Sequence, residues 1–460
     1  MPRAMTSLLV VGGNAAGMSC AAKAKRRAPE LEVTVIEAGP NVSYSSCGIP
    51  HLIAGTVEEP EDLLILTPEK AKEKGIDVHV KTAALALNAY TKEVTVQGPK
   101  GRDALHYDKL CIATGASALN PLKGGDLKGV FSVRHVWDGV RLMEHVDSAK
   151  SKRFGIVGGG HVGLEMAEAF HKRGTEVHLF QKGPRLLSQF DADITDGLAE
   201  FVEQKGIKLH LDCEVTGLSE GKREGQVGLI HSKEKDVTVD GVLVAVGVKP
   251  NTAFAAKAGV HALSTGHLLV DDNMRTNFHD LWAAGDCVAA RHLITGRPTG
   301  MPLALPSNRM GRVAGDSIAA SLQRIPGPIQ SFSGVVGTSV MRFFGLGFAQ
   351  TGLNEAQAKK EGFDVAISLV ESKSKAAYMP NAKDMAVKMV ADRDTGKLLG
   401  VEMAGPEDSV LRINAAAVAL QAGMTVRKLA EVETAYAPPF SPVWDPILVA
   451  ASEISKDVRK

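Results

Sequence analysis

The stretch Arg153–Gly183, "RFGIVGGGHVGLEMAEAFHKRGTEVHLFQKG", decides the fold, because it is the second copy of a pattern already present at Ser7–Gly39, "SLLVVGGNAAGMSCAAKAKRRAPELEVTVIEAG". Each copy runs from an apolar segment through a glycine turn into an alanine-rich helical stretch, then into a β-branched segment. That order is a strand–helix–strand unit whose two strands lie parallel. Two copies predict two Rossmann-like nucleotide-binding halves in an α/β chain.

In the first copy the turn is Gly12-Gly13-Asn14-Ala15-Ala16-Gly17. Its outer glycines fit the G-x-G-x-x-G template, and Asn14 replaces the middle one. The turn follows a strand and opens a helix, whose free N–H groups suit a pyrophosphate. Glu37 follows at about the twenty-residue spacing expected of a carboxylate that accepts bonds from ribose hydroxyls. The second turn, Gly158-Gly159-Gly160-His161-Val162-Gly163, fits the template fully. Its second strand ends at Gln181-Lys182, with no carboxylate to repel a 2′-phosphate. Lys182 and Arg185 are cations suited to that phosphate, so NADPH is expected to serve at least as well as NADH. Two dinucleotide sites predict a resident flavin on one and an exchanging nicotinamide coenzyme on the other.

The 460 residues suffice for two or three domains. With 53 basic and 52 acidic side chains, no whole-protein field draws nucleic acid or a membrane surface. No apolar run reaches membrane-spanning length. The opening "MPRAMTSLLVVGG" is too short for a signal peptide and reads as a first strand, so a cytoplasmic location is expected. The five cysteines, Cys20, Cys47, Cys111, Cys213 and Cys287, show no C-x-x-C pair and no metal-ligand spacing, and no metal is expected. Four of them sit in apolar or turn contexts.

Downstream, "KLCIATGA", "GVLVAVGVKPN" and "LWAAGDCVAA" read as strands, and "PLALPSNRMGRVAGDSIAASL" as a loop and a helix. The Pro- and Gly-rich "QRIPGPIQSFSG" reads as a boundary. Beyond it, "AVKMVADRDTGKLLGVEMAG" predicts a hairpin turning at Asp394-Thr395-Gly396, and "SVLRINAAAVALQAGMT" a small-residue helix. This last unit is α+β and carries no nucleotide fingerprint.

The two fingerprints, "CIATGA" (Cys111–Ala116) and "AAGDC" (Ala283–Cys287) together resemble, in order and spacing, the pyridine nucleotide–disulfide oxidoreductase family over the whole chain. The resemblance implies an FAD-binding domain at 1–120 and 265–330, an NAD(P)H-binding domain at 121–264 and a dimerisation domain at 331–460. It implies FAD contacts from Gly12, Asn14, Ala15, Ala16, Gly17, Glu37, Cys47, Ala113, Thr114, Gly115, Arg134, Asp286 and Ala304. For NAD(P)H it implies Gly158, Gly160, His161, Val162, Gly163, Glu165, Gln181, Lys182 and Gly247. The lone Cys47 in "SYSSCGIP" resembles the single-cysteine branch, which holds coenzyme A-disulfide reductases, NADH oxidases, NADH peroxidases and polysulfide reductases. Ala15 stands where peroxidases and many oxidases carry a histidine, as in the coenzyme A-disulfide reductases. The segment "YAPP" resembles theirs too. It gives Tyr436, with Tyr378 in "AAYMP", a catalytic role in the partner subunit's active site, and makes the protein a homodimer. Ser19, Lys23, Arg26, Ser43, Ser46, Asn308 and Arg312 match residues that line the coenzyme A site. Ser46 departs from a common Asn, and His51 from a common tyrosine.

On this reading Cys47 reduces coenzyme A disulfide or a related low-molecular-weight disulfide. The alternatives are oxygen reduction through a Cys47 sulfenate, and polysulfide or coenzyme A-persulfide reduction. Without a nearby second cysteine, the oxidised form is a mixed disulfide, a persulfide or a sulfenic acid. A helix beginning near Pro50 is expected to lower the thiol pKa through its dipole.

Overall fold

The computed structural model describes residues 6–148, 152–322 and 330–459. Residues 1–5 of the opening run and 323–329 of the boundary stretch lie outside the described residues.

Strand Ser7–Val11 is the middle of a parallel sheet ordered Leu281–Ala283, Lys109–Ile112, Ser7–Val11, Glu32–Ile36, Ile76–His79. Leu8 to Val11 are buried, as a parallel strand sandwiched by helices requires. The helix Ala15–Arg27 starts immediately after the glycine turn. It packs backbone to backbone on helix Ala304–Ala320, where a Cβ on Gly311 would stand 2.1 Å from the Ala16 carbonyl oxygen.

The second copy repeats the construction. Its parallel sheet runs Lys208–His210, Glu176–Phe180, Arg153–Val157, Gly241–Val244, Val130–Phe131. The turns are built alike. A Cβ on Gly17 would lie 1.8 Å from the Gly12 carbonyl oxygen, and one on Gly163 would lie 1.8 Å from that of Gly158.

The third unit is an antiparallel sheet ordered Ser339–Phe343, Leu346–Gly352, Leu398–Pro406, Asp384–Asp392, Val365–Lys373. The predicted hairpin turns at Gly396 (φ +65°), with Thr395 Oγ1 donating to Asp392 Oδ2 at 2.5 Å. The predicted small-residue helix runs Ile413–Gln421.

The second and third units share a core in which Phe154, Phe170 and Phe190 join Met341, Phe343 and Phe348. Two polar ties cross the same junction. Glu168, buried on helix His161–Lys172, accepts from Phe344 N at 2.7 Å. Lys388, buried on strand Asp384–Asp392, pairs with Asp191 (3.1 Å), Asp193 (2.7 Å) and Glu355 (2.9 Å). Burial works against its charge, but hydrogen bonds to Asp193, Glu355 and Asp191 outweigh it and raise its pKa. Beside it, buried Glu402 accepts from Asp191 N at 3.1 Å. Burial first, then the Asp191 charge, pushes the Glu402 carboxyl up to about 8.

Lys388→Met leaves these carboxylates without their cation. The expected loss is about 3–5 kcal/mol in urea unfolding of the holoprotein, and a loss below about 1 kcal/mol would show that the cluster does not hold the junction. Glu402 adds a pH signature. Its folded pKa lies above its ordinary value, so the folded protein binds more protons than the unfolded chain between the ordinary carboxylate range and about 8. Stability should therefore fall as pH rises through that window. Glu402→Gln should flatten the slope in denaturation profiles, and an unchanged slope would contradict the assignment.

Candidate active site

The first glycine turn is clamped by Glu37, whose Oε2 accepts from Gly13 N and Oε1 from Gly39 N, both at 2.7 Å. The helix that follows has no side-chain cap, because the Asn14 side-chain Oδ1 is used elsewhere. It accepts from Tyr44 N at 3.1 Å, while Ser43 N donates to the Gly13 carbonyl at 2.8 Å. The departure from glycine at position 14 thus has a structural purpose: it latches the turn to the segment that carries Cys47. Ala15 and Ala16 form the uncapped first turn of the helix, Ala113 and Thr114 lie against Gly12, and Gly115 follows them with φ +62°. A cleft of about 620 Å³ opens here, lined by Val11, Gly12, Glu37, Thr82, Leu85 and Thr114 among others. Free N–H groups, a carboxylate at the strand end and an open cleft between them fit the dinucleotide expected at this turn.

Asp286 gathers three segments. It accepts from Ser307 Oγ at 2.7 Å and Arg134 Nη2 at 2.9 Å, while Arg134 Nε donates to the Ala116 carbonyl at 3.1 Å. Ala304 opens the helix that carries Ser307. Next to Arg134, His135 Nδ1 lies 2.5 Å from the Tyr44 hydroxyl. Sequence reasoning missed Ser307, Tyr44 and His135. Each matters only through a partner distant in the chain, and no local motif marks them.

Cys47 lies in a 3₁₀ turn, Ser46–Gly48, followed by the short helix Ile49–Ile53. Ile49 and Ile53 are buried in the core of the second unit, and Arg173 Nε donates to the Ile53 carbonyl at 2.5 Å. The segment is therefore latched to the first turn at Ser43–Tyr44 and anchored in the second unit just past Cys47. Cys20, Cys111, Cys213 and Cys287 are buried; Cys47 is exposed, and all five are free thiols. The expected depression of the Cys47 pKa is overturned. Desolvation on its protein-facing side raises it, Glu165 and Asp286 raise it further, and Arg134 opposes them. The helix beyond Cys47 has only five residues, so its dipole is too short to prevail. Glu165 is itself pushed up to about 7, by burial and by the Glu168 charge. His51 is exposed one turn away.

At the second turn Gln181 does what Glu37 does at the first: its Oε1 accepts from Gly159 N at 3.0 Å. The helix His161–Lys172 is likewise uncapped at Gly160. His161 Nε2 is buried with no partner among the described residues, and burial lowers the ring's pKa. Val162 is exposed on the next residue, and Gly247 turns the chain at φ +117° beyond strand Gly241–Val244. This orphaned polar atom beside uncapped N–H groups fits a bound dinucleotide. Of the two cations expected to meet a 2′-phosphate, Lys182 is exposed and pairs with Glu214 at 2.6 Å. The expectation for Arg185 is corrected: its Nη1 turns inward to the Phe190 carbonyl (3.3 Å) and Thr195 Oγ1 (3.4 Å).

The residues matched to a coenzyme A site divide. Ser19 Oγ donates to Asn308 Oδ1 at 2.9 Å, bringing helices Ala15–Arg27 and Ala304–Ala320 together. Lys23 is tied to the fully buried Asp316 at 3.3 Å, which also pairs with Arg27, whereas Arg26 and Arg312 are exposed. Ser43, in a left-handed conformation (φ +49°), and Ser46 flank the cysteine turn. Tyr378 and Tyr436 lie close enough to influence each other's hydroxyl and are exposed, with Phe440, Val443 and Trp444 also exposed nearby in the chain.

The family described as pyridine nucleotide-disulphide oxidoreductase matches residues 6–311, and its dimerisation domain matches residues 338–446. Over 448 residues the chain is 38% identical to an NAD(P)H sulfur oxidoreductase (CoA-dependent) of Pyrococcus abyssi, covering 97% of each. Reduced CoADR-RHD of Bacillus anthracis superposes with a TM-score of 0.92 at 30% identity, over 99% of this chain and 81% of that one. A NAD-dependent persulfide reductase from A. fulgidus does so with a TM-score of 0.92 at 30% identity, over 98% and 83%. No helix among the described residues is long and apolar enough to cross a membrane.

The surroundings of Cys47 make a pH prediction. As pH rises through about 7, Glu165 ionises and holds the neighbouring thiol in its protonated form. Glu165→Gln removes that negative charge, so the thiolate should form at lower pH. The rate of iodoacetamide alkylation of Cys47 in the reduced holoprotein should rise several-fold at pH 8. An unchanged or higher alkylation midpoint would show that Glu165 does not govern the thiol.

Proposed function

The chain belongs to the pyridine nucleotide-disulphide oxidoreductase family and is an FAD-dependent oxidoreductase of NAD(P)H; from that premise we propose that it reduces coenzyme A disulfide, or a related low-molecular-weight disulfide, at Cys47. The observation that carries this reading is the isolation of Cys47. It is the exposed one of five thiols, held between the first glycine turn and the core of the second unit, with its four fellows buried. A lone sulfur there must take its second sulfur from the substrate.

FAD, when bound, supplies the two-electron relay between the nicotinamide and the Cys47 sulfur. The Cys47 thiolate attacks one sulfur of the disulfide, forming a mixed disulfide and expelling one coenzyme A thiolate. Two electrons from NAD(P)H cleave the mixed disulfide, the second coenzyme A leaves, and Cys47 returns to thiolate. The balance is one disulfide, one NAD(P)H and one proton consumed, with two thiols and NAD(P)⁺ formed. Glu165, with a carboxyl near 7, can hold a proton beside Cys47 at neutral pH. Asp286, Arg134 and Ser307 fix the floor of the site.

We assign residues 1–120 and 265–330 to the FAD-binding domain, 121–264 to the NAD(P)H-binding domain and 331–460 to the dimerisation domain. Strand Leu281–Ala283 supports the discontinuous first domain, since it closes the first sheet beside Lys109–Ile112. The exposed tyrosine pair, together with Phe440, Val443 and Trp444, supports a homodimer in which Tyr436 and Tyr378 serve the partner subunit's active site. Ser19, Ser43, Ser46, Asn308 and Arg26 are assigned to coenzyme A. A second reading, reduction of coenzyme A persulfide, is favoured by relatives named as a CoA-dependent sulfur oxidoreductase and a persulfide reductase.

Denaturing the purified protein without reductant and weighing it should reveal coenzyme A on Cys47. Cys47→Ser should lose disulfide-dependent NAD(P)H consumption by at least about a hundredfold while retaining FAD. Full activity in that variant, or oxygen as the preferred acceptor of the wild-type protein, would overturn the assignment. A higher kcat/KM for coenzyme A persulfide than for the disulfide would decide for the second reading.

A further inference from the structure

The edge of the second dinucleotide site carries an ion cluster of Glu214 with Lys182 and Lys233. Gln181 hydrogen-bonds the Gly159 N–H with its amide oxygen, in the position where Glu37 does so in the first unit. The ribose end of this site is therefore lined by a neutral side chain. Beyond it the backbone pairs with the segment after strand Lys208–His210: Gln181 N donates to the His210 carbonyl, and Cys213 N to the Gln181 carbonyl at 3.0 Å. This pairing sets Glu214 beside Lys182. The Glu214 carboxylate bonds Lys182 Nζ at 2.6 Å through one oxygen and Lys233 Nζ at 2.5 Å through the other. Both lysines are mostly exposed, at 77% and 66% of their side-chain surface. The two cations draw the Glu214 carboxyl down to about 2, so it is ionised at any working pH.

We propose that Glu214 sets the coenzyme choice of this protein by occupying Lys182 and Lys233, the cations that a coenzyme 2′-phosphate would otherwise engage. The proposal rests on the reading that the 158–163 turn receives NAD(P)H. With Gln181 at the ribose edge and Arg185 turned inward, Lys182 and Lys233 are the cations at hand for a 2′-phosphate. Each gives one hydrogen bond to Glu214. A phosphate dianion arriving here must share those donors and stand a few ångströms from a fixed negative charge. NADH has no phosphate at this point and is indifferent to the cluster. The uncharged ribose edge admits NADPH, and Glu214 prevents a strong preference for it.

The test uses 2′,5′-ADP and 5′-ADP as probes, titrated calorimetrically into the FAD-loaded protein and its variants. Glu214→Gln keeps the shape and removes the charge. Its affinity for 2′,5′-ADP relative to 5′-ADP should rise about five-fold at low ionic strength, the effect of deleting one like charge at close range near a surface. The gain should shrink as salt is added. Lys182→Met/Lys233→Met should erase discrimination between the probes. An unchanged or reduced ratio in Glu214→Gln would overturn the proposal, because it would mean that the carboxylate aligns the lysines for the phosphate instead of competing with it. If the wild-type protein bound neither probe, the assignment of the second turn to NAD(P)H would itself fail, and the proposal with it.

Discussion

The architecture depends on one steric constraint used twice: a helix begins so close to the strand before it that two backbones touch. At Gly17 and at Gly163 a single added carbon would stand 1.8 Å from a carbonyl oxygen five residues earlier. No side chain survives that approach. The contact brings the helix start down onto the carboxyl end of the parallel sheet and leaves its first N–H groups uncapped, at Asn14 and at Gly160. A helix start without a cap is an unsatisfied group of partial positive charges. Packing thus creates a preference for phosphate before any ligand is considered. The same geometry, repeated in one chain, makes two such sites that differ in their turn residues, Asn14 against Gly160, and in what stands at the ends of their second strands.

Passing electrons onward from the flavin to a disulfide needs a sulfur held in place beside the first turn, and the chain meets that need with a short bridge. The bridge is hydrogen-bonded to the first turn through Ser43 and Tyr44, and buried in the second unit through Ile49 and Ile53. Cys47 lies between these attachments and cannot drift from either. The second unit is in turn fixed to the antiparallel third unit by the shared phenylalanine core and the buried Lys388 cluster. The position of Cys47 relative to the tyrosine pair of the third unit is therefore set by packing through three layers.

Much of this was legible in the sequence because it is local. Glycine spacing, β-branched runs and a Thr-Gly turn each report on backbone geometry within a few residues, and the strands, helices and hairpin follow from them. What was hidden is non-local. Asn14 read as an imperfect glycine, and its purpose emerges only when Tyr44 folds against it. Ser307, His135 and the acids around Lys388 have partners far away in the chain. Arg185 read as a phosphate ligand because charge was considered without direction; Thr195 and the Phe190 carbonyl take it inward. The Cys47 pKa went the other way for an energetic reason. A dipole from one helical turn is a weak, solvent-screened term, and partial desolvation with the Glu165 charge outweighs it at the thiolate.

That upward shift bears on how a single sulfur can work. In thiol–disulfide exchange a thiolate of higher pKa is the stronger nucleophile and the poorer leaving group. Cys47, raised above its ordinary value, is disposed to attack a disulfide and then to keep the sulfur it has captured. A two-cysteine site achieves the same direction by closing an internal disulfide. Here the direction comes from the surroundings of the sulfur: partial desolvation first, then Glu165 and Asp286, disfavour the thiolate, and Arg134, held by Asp286, compensates only in part. The cost is a small thiolate fraction at neutral pH, and it is bearable because the two fixed attachments of the bridge keep the sulfur in place for the disulfide that arrives.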